Sequence, residues 1–134
     1  MDCLADFRAV ISDPKDGKSY QVPVGGHHAN SLIGKKIGDI VDGIFVGLPG
    51  YKLQITGGSD KDGFPMRSDL PGPRRKKLLV SRGTGFKDKK GGIRRRKNMR
   101  GNAVSPDTLQ INLKVTQHGM KPVGDLVKKE EKKP

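Results

Sequence analysis

The chain has 134 residues and a net charge of +13, and only 32% of its residues are hydrophobic and 4% aromatic. This length fits one domain with appendages, and the few apolar side chains predict a small core. The single cysteine, Cys3, excludes an internal disulfide and a cysteine zinc cluster, and no apolar run reaches the roughly 18 residues of a membrane helix. We therefore expect a cytoplasmic protein with no membrane segment, metal or other cofactor.

Alternation of apolar and polar side chains predicts short strands separated by turns rich in glycine and proline. The turn-forming residues 13–17 (DPKDG) separate the first two strands, which we expect to pair as a hairpin. The turn at 105–107 (SPD) precedes the last strand and favours a second hairpin, formed by residues 101–104 and that strand. The strands are predicted at 7–12, 20–24, 51–56, 76–81 and 109–116.

One short helix is expected at about 28–33, where Gly34 would end it. The fold class predicted from these elements is mostly β, a small antiparallel β-barrel with one short helix and a basic extension. Residues 1–118 would form this single domain, which includes a loop at 82–92. Residues 119–134 would form a flexible C-terminal tail.

Almost all of the excess positive charge lies in one internal stretch, residues 74–100, which we call the basic segment. It contains 13 basic residues and one acid, whereas residues 1–73 carry a net charge of −1. Strand-like residues on both sides would hold the segment in place, which favours an anion-binding surface over a solvated charged tail. Phe86 is its one aromatic residue, so we expect contacts with nucleic-acid phosphates more than stacking on bases.

The candidate phosphate contacts are the arginines and lysines of the basic segment. Arginine suits bidentate contact with phosphate, and lysine acts as a point charge. The predicted nucleic-acid-binding residues are Arg74, Arg75, Lys76, Lys77, Arg82, Lys87, Lys89, Lys90, Arg94, Arg95, Arg96, Lys97 and Arg100.

A second motif, GGSDKDGFPMR at 57–67, has a weaker resemblance to a metal site. Asp60 and Asp62 precede Gly63 as in half of a calcium loop, but the glutamate expected further on is absent. We interpret the stretch as a Gly-rich turn after a strand, from which residues 64–66 pack back under the barrel.

The remaining polar residues do not support a catalytic or metal site. Side chains at neighbouring positions such as His27 and His28 point apart, and His118 is distant in sequence. No serine has the sequence context of a nucleophile elbow. We therefore do not expect an enzyme.

Four stretches together resemble the small-subunit ribosomal protein S6e family of archaea and eukaryotes. They are LIGKKIGD (32–39), VGLPGYKLQITGGSDKDGFPMR (46–67), GPRRKKLLVSRGTGF (72–86) and IRRRKNMRGNAVSPDTLQINLKV (93–115). The resemblance covers about residues 7–118. It implies a β-barrel protein that binds ribosomal RNA beside neighbouring ribosomal proteins, supports subunit assembly and translation, and has no enzymatic role.

The chain departs from the eukaryotic members of that family. Those members carry a long basic C-terminal helix with phosphorylatable serines, whereas the last serine here is Ser105 in a sequence ending at Pro134. The kinase-signalling role is therefore not carried over, and the short form resembles archaeal members.

Three alternatives to a ribosomal role stay open at this point. The chain could be a free β-barrel module that binds DNA and RNA comparably. It could be a protein-interaction module whose basic segment docks an acidic partner or anionic lipid. An enzyme would need a convergent polar site that the sequence does not display.

Overall fold

The computed structural model describes residues 6–87 and 90–120. The strands are β1 (Phe7–Asp13), β2 (Lys18–Val24), β3 (Ile40–Asp42), β4 (Lys52–Asp60), β5 (Arg75–Val80), β6 (Arg95–Arg100) and β7 (Thr108–Gln117). The helix α1 spans Gly26–Leu32, and a 3-10 helix spans Gly43–Val46. The five predicted strands and the helix are confirmed, and β3, β6 and the 3-10 helix come in addition. No helix within the described ranges is long and apolar enough to cross a membrane.

Five strands form the main sheet, in the order β2-β1-β7-β4-β3. The hairpin predicted for β1 and β2 is confirmed, with Ala9 opposite Val22. The centre of the sheet joins distant parts of the chain, because β7 pairs with β1 in parallel and with β4 in antiparallel orientation. Ile111 lies opposite Ala9 on one side, and Leu113 lies opposite Ile55 on the other. The sheet is therefore mixed, although its other pairings are antiparallel.

The predicted barrel is wrong, because the main sheet is open. Its edges are β2 and β3, and within the described residues these two strands do not pair with each other. β3 is only three residues long, and the 3-10 helix follows it immediately. This 3-10 helix contacts both α1 and β2, so short helices pack where a closing strand would have to run.

The predicted second hairpin is also wrong. Both sides of β7 are already paired, with β1 and with β4, so residues 101–104 have no free edge of β7 to join. Ala103 instead forms an isolated bridge with Lys36. The turn before β7 is present, since the Thr108 N–H donates to the Ser105 carbonyl oxygen at 3.0 Å.

The core lies between the main sheet and the elements that cover it. Alternate residues of each strand point toward it, as the period of two requires. Burial of each large apolar side chain stabilises the fold by about 1.5–3 kcal/mol relative to leaving it exposed. The largest fully buried side chains of this core are Phe7, Ile11, Val22, Leu32, Leu48, Leu53, Ile55, Val104, Ile111 and Leu113.

Gly58 allows the backbone of β4 to lie very close to the backbone of β7. A Cβ at this position would lie 2.3 Å from the Gln110 carbonyl oxygen, so a larger residue would force the backbones apart. The β4–β7 register shifts beside it, between Ile55 and Gly57. The Gly58 carbonyl then accepts from the Met66 N–H at 2.9 Å, which brings residues 64–66 back against the sheet. Met66 is 3% exposed, as expected for this turn, although no closed barrel lies above it.

Candidate nucleic-acid interface

The basic segment folds into a hairpin of β5 and β6, with a loop at 81–94. The strands pair in antiparallel register from Arg75 opposite Arg100 to Val80 opposite Arg95. The base of the hairpin is fixed to the rest of the protein by backbone bonds. The Arg100 N–H donates to Pro65 O at 2.9 Å, and the Arg67 N–H donates to Arg100 O at 2.9 Å. The hairpin therefore projects from a defined position.

The hairpin has a small apolar core of its own. Val80 and Met99 point to the same face, where they pack with Leu70 and with Phe86 of the loop. The loop closes on itself through reciprocal backbone bonds between Gly83 and Phe86, at 2.8 and 3.1 Å. A two-stranded hairpin alone is marginally stable in water. Here the loop covers one face of the hairpin and buries its apolar side chains, which adds the stability that two strands alone lack.

The register keeps most cations of the two strands away from one another. Directly opposed like charges destabilise a sheet, but most cations here face an uncharged residue across the ladder. These opposed pairs are Lys76–Met99, Lys77–Asn98, Leu78–Lys97, Leu79–Arg96 and Val80–Arg95. In the paired register of β5 and β6, like charges meet directly only at the base, where Arg75 faces Arg100. That pair requires a counter-charge.

Asp60, the last residue of β4, supplies this counter-charge. It is 1% exposed, and its Oδ2 accepts from Arg75 Nη2 at 2.9 Å and from Arg100 Nε at 3.1 Å. Its Oδ1 accepts from the backbone N–H groups of Asp62 and Phe64 at 3.0 and 2.8 Å. Arg75 also bonds Asp62 at 2.6 Å and lies 4.5 Å from the centre of the Phe64 ring. One carboxylate thus joins both strands of the hairpin to the turn after β4.

The environment of Asp60 keeps it ionised. Burial raises the pKa of this carboxyl, but the hydrogen bond from the Phe64 N–H and those from Arg75 and Arg100 outweigh burial. Its pKa therefore lies below the usual value for aspartate. At neutral pH the site holds a buried anion between two guanidinium groups.

The predicted nucleic-acid-binding residues fall into two groups in the structure. Arg100 is 7% exposed, and both Arg100 and Arg75 are held by Asp60, so their guanidinium groups are engaged within the protein. Lys89 lies outside the described residues. The other predicted cations are exposed, and they are Arg74, Lys76, Lys77, Arg82, Lys87, Lys90, Arg94, Arg95, Arg96 and Lys97.

Eight of the ten exposed cations lie on one face of the hairpin or the other, because side chains alternate along β5 and β6 and cations of the loop line a groove on one side or the other. We call one side the groove face, and its cations are Lys76, Lys87, Lys90, Arg95 and Lys97. The other is the open face, and its cations are Lys77, Arg94 and Arg96. The groove face contains an open groove of about 560 Å³, where Lys97 lies 5.7 Å from the centre of the Phe86 ring. On the open face, Leu79 is 61% exposed.

The ion-pairing role of Asp60 is absent from the sequence-based prediction. The residue attracts attention there only as part of an incomplete calcium loop. Among the described residues, no three potential metal ligands cluster, and the carboxylate of Asp60 is already occupied by arginines. Arg100 lies 40 positions away, so spacing could not reveal the pair. The signal that was available is the pair of acids, Asp60 and Asp62, in the Gly-rich turn that comes before the basic segment in the sequence.

Comparison with known proteins identifies the family. A family model described as ribosomal protein S6e matches residues 7–128. The chain belongs to the ribosomal protein S6e family. It is 54% identical over 127 residues to small ribosomal subunit protein eS6 of Archaeoglobus fulgidus, which covers 94% of this chain and 98% of the relative. The protein of the same name from Methanocella arvoryzae is 53% identical and covers 97% of this chain and 92% of the relative.

Other S6e relatives are similarly close. The one from Haloarcula marismortui is 48% identical and covers 92% of this chain and 96% of the relative. These three organisms are archaea, which confirms the expected archaeal form of the family. An S6e protein is a structural ribosomal protein and not an enzyme, so the non-enzymatic prediction is confirmed by membership of this family. The predicted tail at 119–134 lies outside the described residues except for its first two.

Proposed function

We propose that this S6e protein is a structural constituent of the small ribosomal subunit, where its hairpin of β5 and β6 binds ribosomal RNA. The observation that carries the proposal is the concentration of ten exposed cations on one projecting hairpin, in a member of a ribosomal protein family. Binding would support assembly of the subunit and hence translation. The implied partners are ribosomal RNA and adjacent ribosomal proteins, on ribosomes in the cytoplasm.

The mechanism is displacement of counterions from RNA phosphates. Each phosphate that is neutralised releases condensed ions, so the logarithm of the affinity falls linearly with the logarithm of the salt concentration. If six to eight cations make contact, the slope should be about −4 to −7, using coefficients of roughly 0.7–0.9 per phosphate. Arg75 and Arg100 are omitted from this proposed contact set, because Asp60 already holds their guanidinium groups.

The contribution of the hairpin can be measured with charge-matched variants. Arg94→Gln, Arg95→Gln and Arg96→Gln together remove three exposed cations of the hairpin. We expect them to make the salt slope about 2–3 less steep, at roughly 0.7–0.9 per phosphate. The main-sheet control replaces three other exposed cations with glutamine: Lys18 and Lys114 on the main sheet, and Lys15 in the turn between β1 and β2. Equal losses in both variants would show that net charge, and not the hairpin, determines binding.

The ribosomal assignment is tested by gradient sedimentation of a native lysate, at low and high salt and with nuclease. We expect the chain to migrate with the small subunit in moderate salt and to leave that position after nuclease treatment. Migration at the top of the gradient under every condition would refute the ribosomal role. Equal binding of DNA and RNA would then favour a free nucleic-acid-binding module.

A further inference from the structure

We propose that the hairpin binds two separate RNA segments at once, one on each face, so that a single chain joins them. This inference rests on the proposed RNA binding and adds its geometry. Its basis is that exposed cations lie on both the groove face and the open face, as defined above.

The two faces are separate surfaces. Val80 and Met99, which point to the groove face, are 5% and 0% exposed, because the loop and Phe86 cover them. Leu79, the neighbour of Val80 on the other face, is 61% exposed. A second groove, of about 380 Å³, lies there between Leu79, Ser81, Gly92 and Arg94. The apolar layer of the hairpin therefore separates two cationic surfaces.

One RNA segment cannot neutralise both surfaces. Successive side chains of a strand point to opposite faces of the sheet, so the cationic side chains of the two faces extend away from each other. The Debye length at physiological ionic strength is about 8 Å, so phosphates on one face barely act on the cations of the other. A stiff duplex cannot bend around the edge of the hairpin. The cations of the second face are therefore not neutralised by the first RNA segment, and they can bind a second polyanion.

The buried carboxylate of Asp60 at the base of the hairpin does not neutralise the exposed cations of the two faces. Asp60 is fully engaged, because Oδ2 accepts from Arg75 and Arg100 and Oδ1 accepts from backbone N–H groups. Each face carries several exposed cations, and an RNA backbone presents a regular row of phosphates, so charge complementarity favours an RNA backbone as the occupant of each face over an acidic segment of a protein.

The test uses a short RNA duplex of about one helical turn and counts duplexes per chain at saturation and low salt. We expect two duplexes per chain for the unchanged protein. A groove-face variant combines Lys87→Gln, Arg95→Gln and Lys97→Gln. An open-face variant combines Lys77→Gln, Arg94→Gln and Arg96→Gln. Each should bind one duplex, whereas the main-sheet control (Lys15, Lys18 and Lys114 to glutamine) should still bind two.

A bridging assay gives the second readout. One duplex is immobilised, the protein is added, and a second, fluorescent duplex is passed over it. The unchanged protein and the main-sheet control should retain the second duplex, and either face variant should lose that retention. Saturation at one duplex per chain, with RNA still bound, overturns the two-face proposal but leaves the proposed function intact. Failure of the unchanged protein to bind any RNA overturns the proposed function itself. Loss of retention in the main-sheet control would show that bridging depends on net charge and not on the two faces, which also overturns the two-face proposal.

Discussion

Asp60→Asn removes the counter-charge at the base of the hairpin while keeping the size of the side chain. Asparagine can still accept from the N–H groups of Asp62 and Phe64, but it leaves Arg100, whose side chain is 8% exposed, without its buried anion. The acid that remains beside Arg100 is Asp107, which is 70% exposed and lies 3.9 Å away. Removing one partner of a buried ion pair costs about 3–5 kcal/mol. The total stability of a domain is about 5–15 kcal/mol, so the loss should be a large fraction of it.

The assay is urea unfolding at neutral pH, followed by circular dichroism. Asp62→Asn is the control, because the side chain of Asp62 is 64% exposed and an exposed ion pair with Arg75 contributes little. Its unfolding midpoint should stay close to that of the unchanged protein. A loss below about 1 kcal/mol for Asp60→Asn would refute the reasoning, since a value of that size is typical of a surface pair.

Three further predictions concern other parts of the fold. Asp60 and Asp13 both have lowered pKa values in the folded protein. The bonds described above outweigh burial at Asp60, and the hydrogen bond with His118 Nε2, at 2.9 Å, lowers the pKa of Asp13. The ionised carboxylates therefore stabilise the folded protein above their unfolded pKa of about 3.9, and this stabilisation is lost as the pH falls below that value. A thermal unfolding midpoint that stays constant from pH 5 to pH 2 would contradict this. Gly58→Ala should destabilise the protein by about 1–3 kcal/mol, because the Cβ of the alanine would collide with the Gln110 carbonyl oxygen. Urea unfolding measures this loss, and an unchanged free energy of unfolding would show that β4 can move away from β7. Met99→Ala should cost about 2–5 kcal/mol, since Met99 is fully buried in the hairpin core. Proteolysis in the loop at 81–94 should then accelerate, and an unchanged cleavage rate would place the stability of the hairpin elsewhere.

Local features of the fold could be predicted from the sequence. The alternation in 7–12 and 20–24, with DPKDG between them, predicts the β1–β2 hairpin because its contacts join residues close in sequence. The long alternation at 109–116 predicts β7 for the same reason. What could not be predicted is which strands β7 joins, because pairing with β1 depends on contacts about a hundred positions apart.

The errors in the prediction have a common physical origin. Barrel closure depends on which elements occupy the two edges, and the alternation within each strand contains no information about that. β6 is difficult to recognise because its sequence, RRKNMR, has only one apolar residue, Met99, to mark a strand face. Among the candidate site residues, the sequence pattern identifies where the cations are concentrated. It does not distinguish Arg100 from Arg96, because burial beside Asp60 is a property of the tertiary structure.

The parallel pairing of β1 with β7 has a consequence for synthesis of the chain. β1 emerges first from a translating ribosome and can pair with β2 at once, but its other edge has no partner until Thr108–Gln117 has been made. The β5–β6 hairpin, by contrast, is complete in sequence before β7 appears. Because contacts between distant positions form slowly, the main sheet should be completed late, after nearly all of its strands have been exposed. The order of folding is therefore expected to run from the two local hairpins to the core of the main sheet, and the nascent chain would display its cationic surface before that core is complete.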